Sequence, residues 1–298
     1  MISAVVHTFN EQRNIERCLS SLTWTDEIII IDMGSTDKTV EISKSFTSKI
    51  YQHPYTGFVE PARNFGINKT KGNWIIIVDA DEEIPKTLIN YLKIEIEAPK
   101  ADYYRLPRKN IIFGKWMKHS GWWPDYQIRF FKKGAVVWND KLHGIPITRG
   151  IGADLDAVEN FSMTHHNYQS VEQYLARLNR YTAISAKELF LSNQKFSPNL
   201  IFQKTTQEFV NRYFVWKGYK DGVHGLVLSL LQSILELITY IKLWELEKFQ
   251  EKKVSLQETK MLFHEDYKMK EYWLINELLN QSPSFFHRIY LKLKRKLL

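Results

Sequence analysis

The chain of 298 residues has one cysteine, Cys18, which excludes an intramolecular disulfide framework and a cysteine-rich zinc site. Long hydrophobic runs are also missing. The most apolar stretch, 226–241, is interrupted by Gln232 and Glu236, so we expect no membrane-spanning helix. The first ten residues lack the basic and apolar regions of a secretory signal, and none is expected. No Gly-X-Gly-X-X-Gly follows the first predicted strand, which disfavours a Rossmann oxidoreductase.

Positive charge is concentrated in one part of the chain. The net charge is +8, and residues 101–150 hold ten Lys and Arg against three Asp and Glu. This excess favours an anionic substrate or a membrane surface, although a solvated basic face also explains it. Aromatic residues make up 14% of the chain, a share that suits sugar or lipid contact as well as a large core.

Strand and helix patterns alternate in the first hundred residues. Continuous apolar runs predict buried strands at 2–9, 27–32 and 74–79, with helical spacing between them. This alternation predicts an α/β fold with a mainly parallel sheet and helices on both faces. Helical patterns follow at 171–192, 199–216, 221–249, 267–280 and 285–298. We therefore predict a catalytic domain over 1–170 and a helical region over 171–298 that packs on it.

Acidic side chains stand at the ends of the predicted strands. Glu11 follows the first strand, Asp32 ends the second, and Asp79 and Asp81 flank an alanine after another buried strand. Ligands of such sheets bind beyond the carboxyl ends of the strands. Paired carboxylates there suit a hard divalent cation that also binds substrate phosphates. A solvated turn that caps the next helix is the alternative.

Three motifs in sequence order resemble family 2 glycosyltransferases of the GT-A fold. They are Thr-Phe-Asn-Glu at 8–11, Asp-Met-Gly-Ser-Thr-Asp-Lys-Thr at 32–39 and Asp-Ala-Asp-Glu at 79–82. The resemblance covers about residues 1–150. The chain is also similar to the lipopolysaccharide-core β-glucosyltransferase branch of that family. The residues that carry this likeness are Gly57-Phe58, Arg63-Asn64, Gly114, Trp122-Trp123-Pro124-Asp125, Arg129-Phe130-Phe131, His143, Asp221-Gly222-Val223-His224-Gly225 and Leu243-Trp244-Glu245.

The resemblance implies a role for each matching residue. Asp125 corresponds to the catalytic base, and Asp81 and His143 correspond to metal ligands. The implied nucleotide-sugar contacts are Thr8, Asn10, Glu11, Asp32, Arg63 and Asp79. The implied contacts with acceptor or sugar are His119, Trp122, Trp123 and Arg129.

The implied activity is inverting transfer of a hexose, glucose in the branch, from a UDP-sugar to a surface-glycan or lipopolysaccharide-core acceptor. A divalent cation, Mn²⁺ or Mg²⁺, is the implied cofactor. The acceptor would be a glycan or glycolipid, and no nucleic acid partner is implied. The expected location is cytoplasmic, with peripheral contact to the inner face of the cytoplasmic membrane. One departure concerns the acceptor or the mechanism: Gly144 stands where the branch often has Glu after His143.

Two other classes remain open from the residues alone. One is a sugar-nucleotide-binding protein without catalysis. The other is a Mg²⁺-dependent phosphohydrolase, although such enzymes usually carry a nucleophilic Asp after the first strand. A homo-oligomer is compatible with the sequence.

Three further segments have two interpretations each. His165 and His166 are predicted to point to opposite faces of a strand, which favours a structural role over a shared metal. The helix at 223–248 is predicted to be buried in a bundle or dimer, with an in-plane membrane helix as the alternative. The basic amphipathic segment 285–298 favours contact with a membrane surface, with a solvated terminal helix as the alternative.

Overall fold

The computed structural model describes residues 1–139 and 144–298, so the predicted metal ligand His143 lies outside the described residues. Two compact units are present. The first comprises 1–116 with 122–169, and the second comprises 117–121 with 170–298. That the second region packs on the first as predicted stays a prediction.

Within its described residues, the first unit holds the strands, four short α-helices and a 3₁₀ turn at Glu159–Phe161. Its strands are β1 (Ile2–Thr8), β2 (Glu27–Asp32), β3 (Ile50–Gln52), β4 (Trp74–Asp79), β5 (Glu82–Glu83), β6 (Tyr103–Leu106), β7 (Arg108–Ile112), β8 (Lys115–Trp116), β9 (Gln127–Lys132), β10 (Val136–Val137), β11 (Ile147–Thr148), β12 (Gly152–Asp154) and β13 (Met163–His166). Its helices are α1 (Ile15–Ser20), α2 (Thr39–Ser43), α3 (Glu60–Asn68) and α4 (Lys86–Glu95).

A seven-stranded mixed sheet forms the centre of this unit, in the order β12-β6-β9-β4-β1-β2-β3. Strands β1 to β4 run parallel, and β9 runs antiparallel to both β4 and β6. Residues of β2 such as Ile29 and Ile30 enter separate apolar clusters, because successive side chains point to opposite faces. Both faces of the sheet are thus buried, and the predicted α/β class is confirmed.

A second, four-stranded sheet has the order β5-β13-β7-β8. In its register His165 lies opposite Glu82 on one side and opposite Asn110 on the other. Residues directly opposite each other share a face of the sheet, as do residues two apart on one strand. Glu82, His165, Asn110 and Arg108 therefore project from the same face.

Helix α3 lies unusually close to β1 because Gly66 has no side chain. A Cβ at Gly66 would meet Val5 Cγ1 at 2.6 Å and Ile31 Cγ1 at 3.0 Å. Arg63 stands one turn earlier on the same buried side of the helix. The glycine therefore sets how deeply the Arg63 guanidinium reaches under the sheet edge.

The second unit is helical. Its helices are α5 (Val171–Leu191), α6 (Pro198–Val210), α7 (Val223–Leu246), α8 (Leu256–Gln281) and α9 (Phe285–Lys296). Helix α8 begins eleven residues before the predicted 267, at a capping box that Ser255 and Glu258 form. A π-helical turn at Asn211–Val215 and a 3₁₀ turn at Gly218–Asp221 connect α6 to α7.

Helix α7 buries its polar side and exposes much of its apolar side. Gln232 is buried and donates to Tyr174 Oη at 2.8 Å, whereas Leu230 and Ile234 are exposed. By length and composition alone this helix could cross a membrane, a test that core helices of soluble proteins also pass. The expectation that it does not span a membrane stays a prediction.

Glu27 gives the first unit a buried, pH-sensitive anchor. Its carboxylate accepts hydrogen bonds from Ser3 Oγ at 2.5 Å and the Lys71 amide at 2.6 Å, and pairs with Lys49 Nζ at 2.5 Å. Burial opposes ionisation, but these three partners outweigh it and lower the pKa of Glu27 to about 2. The ionised form is therefore stabilised by folding.

We expect Glu27→Gln to reduce the free energy of unfolding at neutral pH by about 2–3 kcal/mol, because a depressed pKa is a stability contribution. This contribution is present above the unfolded pKa of 4.5 and is lost as pH falls toward about 2. Urea denaturation at pH 7 and pH 3 measures it. The difference in free energy of unfolding between the variant and the unmodified chain should be smaller at pH 3. The control Glu41→Gln, at an exposed position, should have the same free energy of unfolding as the unmodified chain at both pH values. An equal gap at both pH values would contradict the assignment.

Candidate active site

Buried opposite charges meet where β4 ends beside the four-stranded sheet. Asp79 ends β4 and accepts from Arg63 Nη2 at 3.1 Å and from Arg129 Nη2 at 2.5 Å. Glu82, with a side chain that is 0% exposed, accepts from Arg129 Nη2 at 2.7 Å and Arg108 Nη1 at 3.0 Å. The Arg129 guanidinium thus contacts a carboxylate of the seven-stranded sheet, Asp79, and a carboxylate of the four-stranded sheet, Glu82.

Electrostatics holds these groups in their ionised forms. Burial alone would raise the pKa of Asp79, but Arg129 and Arg63 outweigh it and lower that pKa well below its usual range. Burial likewise acts against the charge of Arg129, yet Asp79 and Glu82 raise its pKa. The network is therefore a set of mutually compensated buried ions.

Asp125, the predicted base, lies on the loop before β9. Its Oδ2 accepts from Arg108 Nη2 at 2.6 Å and Asn110 Nδ2 at 3.0 Å, and its Oδ1 accepts from Gln127 Nε2 at 2.8 Å. Burial raises its pKa, but Arg108 and the two amides outweigh that effect and lower it. The carboxylate is consequently ionised at neutral pH and able to accept a proton.

Asp81 faces an imidazole whose tautomer is set by its neighbours. Asn110 uses its Nδ2 as a donor to Asp125 and to the Trp122 carbonyl, so its Oδ1 accepts from His165 Nδ1 at 2.7 Å. His165 Nε2 then lies 3.3 Å from Asp81 Oδ2. Two lone pairs would repel there, so this contact requires a proton or a cation between the atoms. A proton on Nε2 or a bound divalent ion would each meet this requirement.

No group of three or more His, Cys, Asp or Glu side chains is arranged to hold a metal within residues 1–139 and 144–298. A cation at Asp81 and His165 would need further ligands, such as diphosphate oxygens or water. Magnesium and manganese commonly share their ligands with substrate phosphates.

The loops after β1 and β2 are fastened to each other. Thr36 donates its amide to Asn10 Oδ1 at 2.7 Å, and Glu11 donates its amide to Thr39 Oγ1 at 2.8 Å. Asn10 takes a left-handed backbone with φ of 55°, which asparagine tolerates well. Asp32 is buried and accepts from the Gly34 and Ser35 amides at 3.2 Å. The two loops therefore form one preorganised rim.

Several buried polar atoms of this region have no hydrogen-bond partner in the part of the chain that the structure describes. Among the described residues, Nε and Nη1 of Arg63, Nε of Arg129 and Oγ1 of Thr8 meet no hydrogen-bond partner. Unsatisfied buried polar atoms are costly in a folded protein. Cationic donors of this kind suit an anionic ligand, although Arg63 also stacks on Trp138 at 5.6 Å.

The predicted acceptor contacts are spread over both units. Trp122 and Trp123 are partly buried in the first unit, where Trp123 packs edge-on against Trp116 at 5.2 Å. His119 belongs to the second unit, where Asp221 accepts from its amide at 2.8 Å and lies 2.9 Å from its Nδ1. Arg129 is buried in the ion network. The roles of these four residues as contacts with acceptor or sugar stay predictions.

From the sequence, no site role is assigned to four residues that lie in this region, namely Glu82, Arg108, Asn110 and His165. The two histidines do point to opposite faces of β13, as predicted, with His165 toward Asp81 and His166 toward Glu83. A structural role was favoured for both, yet His165 lies against the predicted metal ligand. The pairing of β13 with β5 is what brings His165 beside the carboxylates that follow β4. The sequence alone does not show this pairing, so it gave no signal for His165.

Residues 3–151, half of this chain, match the model of glycosyl transferase family 2. The chain belongs to this family. Its fold is therefore the GT-A fold, and it is a glycosyltransferase, which excludes the phosphohydrolase alternative.

Full-length relatives agree with this assignment. A glycosyltransferase of Rickettsia bellii is 28% identical over 262 residues, which cover 82% of this chain and 86% of the relative. The lipopolysaccharide core biosynthesis glycosyltransferase LpsC of Rhizobium meliloti is 21% identical over 253 residues, with 82% and 92% covered.

Among solved structures, S. aureus TarS 1-349 superimposes with a TM-score of 0.42 at 15% identity, covering 85% of this chain and 93% of that one. Glucosyl-3-phosphoglycerate synthase from Mycobacterium tuberculosis gives a TM-score of 0.31 at 20% identity, with 37% and 43% covered.

Glu82 is the buried anion that both Arg108 and Arg129 require. We expect Glu82→Gln to lower the free energy of unfolding by about 3–5 kcal/mol, since three guanidinium groups would then face only the two carboxylates of Asp79 and Asp125. Chemical denaturation followed by tryptophan fluorescence measures the loss. The neighbouring Glu83→Gln is the matched control, because that carboxylate is 40% exposed and should cost less than about 1 kcal/mol. Equal losses of free energy of unfolding in the two variants would mean that the buried ion network stabilises the fold no more than an exposed carboxylate does.

Proposed function

We propose that this glycosyltransferase is an inverting, divalent-cation-dependent enzyme that transfers a hexose from a UDP-sugar to a hydroxyl of a surface glycolipid. Glucose is the proposed donor sugar, and the lipopolysaccharide core is the proposed acceptor class. The acceptor class is supported by the similarity to LpsC, whose name states that role.

One observation carries the proposal. Asn110 contacts both chemical centres, since it donates to Asp125 at 3.0 Å and its Oδ1 lies 2.7 Å from His165 Nδ1. His165 in turn lies beside Asp81. A proton acceptor and a candidate cation-binding pair are thus linked by a single amide, and these are the two functions that inverting transfer needs at one site.

Asp125 would act as the base toward the acceptor hydroxyl. Its Oδ1 accepts one hydrogen bond among the described residues, from Gln127, and carboxylate oxygens each have two acceptor sites. The acceptor oxygen would attack the anomeric carbon as its proton passes to Asp125. The bond between that carbon and the diphosphate oxygen would break, and UDP would leave with the electron pair of that bond. One displacement without a covalent intermediate inverts the configuration.

Asp81 and His165 would hold a divalent cation, which would supply positive charge to stabilise the departing diphosphate. Manganese suits this mixed oxygen and nitrogen pair better than magnesium, which prefers oxygen ligands. Arg63, with buried unsatisfied N–H groups, would donate to the nucleotide part of the donor. The rim formed by the β1 and β2 loops would hold the uracil ring of the donor beside Asp32.

We expect Asp125→Asn to lower kcat about 10²–10⁴-fold, because the variant loses the proton acceptor. UDP binding should be unchanged. The measurement is transfer from labelled UDP-glucose to lipopolysaccharide core, with product configuration assigned by NMR. Asp154→Asn is the matched control, since Asp154 forms a similar pair with Arg105 on the surface. Full activity of Asp125→Asn would remove Asp125 from the mechanism.

We expect His165→Gln to weaken Mn²⁺-dependent UDP binding about 10–100-fold or more, the range known for disturbed metal sites. Titration calorimetry with UDP, in Mn²⁺ and then in EDTA, measures the difference. His166→Gln controls for the loss of an imidazole on the same strand and should bind as the unmodified chain does. If both variants bind normally in Mn²⁺, His165 is not a cation ligand.

A further inference from the structure

Helix α9 exposes a row of large apolar side chains. Phe286 is 82% exposed and Leu293 is 58% exposed, although both are residues that normally stabilise cores. The other exposed members of the row are Phe285, Ile289, Tyr290 and Leu297. We call these six residues the α9 apolar stripe.

The stripe faces away from the helix on which α9 packs. Leu291 is 3% exposed and packs in one cluster with Ile275 and Leu279 of α8. Lys294 pairs with Glu271 on the same side. At about 100° per residue, the stripe spans an arc of about 140°, centred roughly opposite Leu291. The α8 contact therefore fixes α9 with its apolar stripe outward.

Cations border the stripe. Arg288, Lys292 and Lys296 are exposed, and by helical spacing they lie along one edge of it. The segment 282–298 contains no Asp or Glu. No ion pair joins these three cations to a carboxylate within the described residues. The surface thus combines an apolar face with a uniformly positive flank.

We propose that α9 binds the surface of an anionic lipid bilayer, lying in the interface with its apolar stripe in the headgroup boundary. An in-plane helix needs an apolar face for the acyl region and a basic flank for acidic headgroups, and α9 has both. A second copy of this chain fits less well, because a symmetric contact would bring equal positive flanks together. This proposal does not depend on the donor and acceptor proposed above.

Co-sedimentation with vesicles tests the proposal on the full chain. The probes are vesicles of phosphatidylcholine alone and of equal parts phosphatidylcholine and phosphatidylglycerol. We expect binding to the anionic vesicles that weakens with added salt, since each cation near such a surface contributes about fivefold in affinity. Binding that is absent, or equal on both vesicle types, would overturn the proposal.

Two variants separate the parts of the surface. Phe286→Ser with Leu293→Ser should reduce binding at least tenfold through the lost apolar insertion. Arg288→Gln with Lys292→Gln and Lys296→Gln should reduce it by a similar factor through the lost charge. All five positions are exposed, so circular dichroism should confirm an unchanged fold.

The matched control removes three exposed cations elsewhere in the same unit, Lys187, Lys253 and Lys260, each changed to Gln. It should bind anionic vesicles like the unmodified chain. An equal loss in this control would mean that net charge, and not α9, attracts the protein. Sedimentation velocity measures the oligomeric state. If the unmodified chain is a dimer and the variant with Phe286→Ser and Leu293→Ser is a monomer, the stripe binds a second copy of the chain instead.

Discussion

The paired ion contacts of Arg129 are the constraint on which the site depends. This side chain reaches from β9 of the large sheet to Asp79 at the end of β4 and to Glu82 of the small sheet. Three carboxylates and three guanidinium groups balance one another here, since Arg63, Arg108 and Arg129 face Asp79, Glu82 and Asp125. Each buried ion is tolerable only while its partner remains, so the group behaves as one cooperative unit.

Much of the first unit could be predicted because its order is local. The run Glu-Ile-Ile-Ile-Ile-Asp is apolar over a strand's length, and its last residue lies at the carboxyl edge where ligands bind. The neighbourhood of Glu82, Arg108 and His165 could not be predicted in this way. Strand β5 has two residues, too few for a periodic pattern, and its pairing with β13 spans about eighty positions. The four-stranded sheet therefore cannot be predicted from the sequence pattern.

The helical unit shows a second limit of periodicity. The pattern of α7 correctly separates a polar from an apolar side, but it does not say which side is buried. The structure buries Ser229 and Gln232 and exposes Leu230. The first half of α8 escaped prediction because apolar residues are distributed around the helix, so no stripe marks it. Its capping box, Ser255 with Glu258, was the local signal of its start.

The two adjacent histidines of β13 are chemically identical, and what distinguishes them is strand register. Met163 is fully buried in the apolar core, two residues before His165 and on the same face. A slip by one residue would expose Met163 and turn His166 toward Asp81. An apolar residue thus helps to decide which of the two imidazoles faces Asp81. The chemistry available at this strand end therefore depends on a core methionine that has no polar group in its side chain.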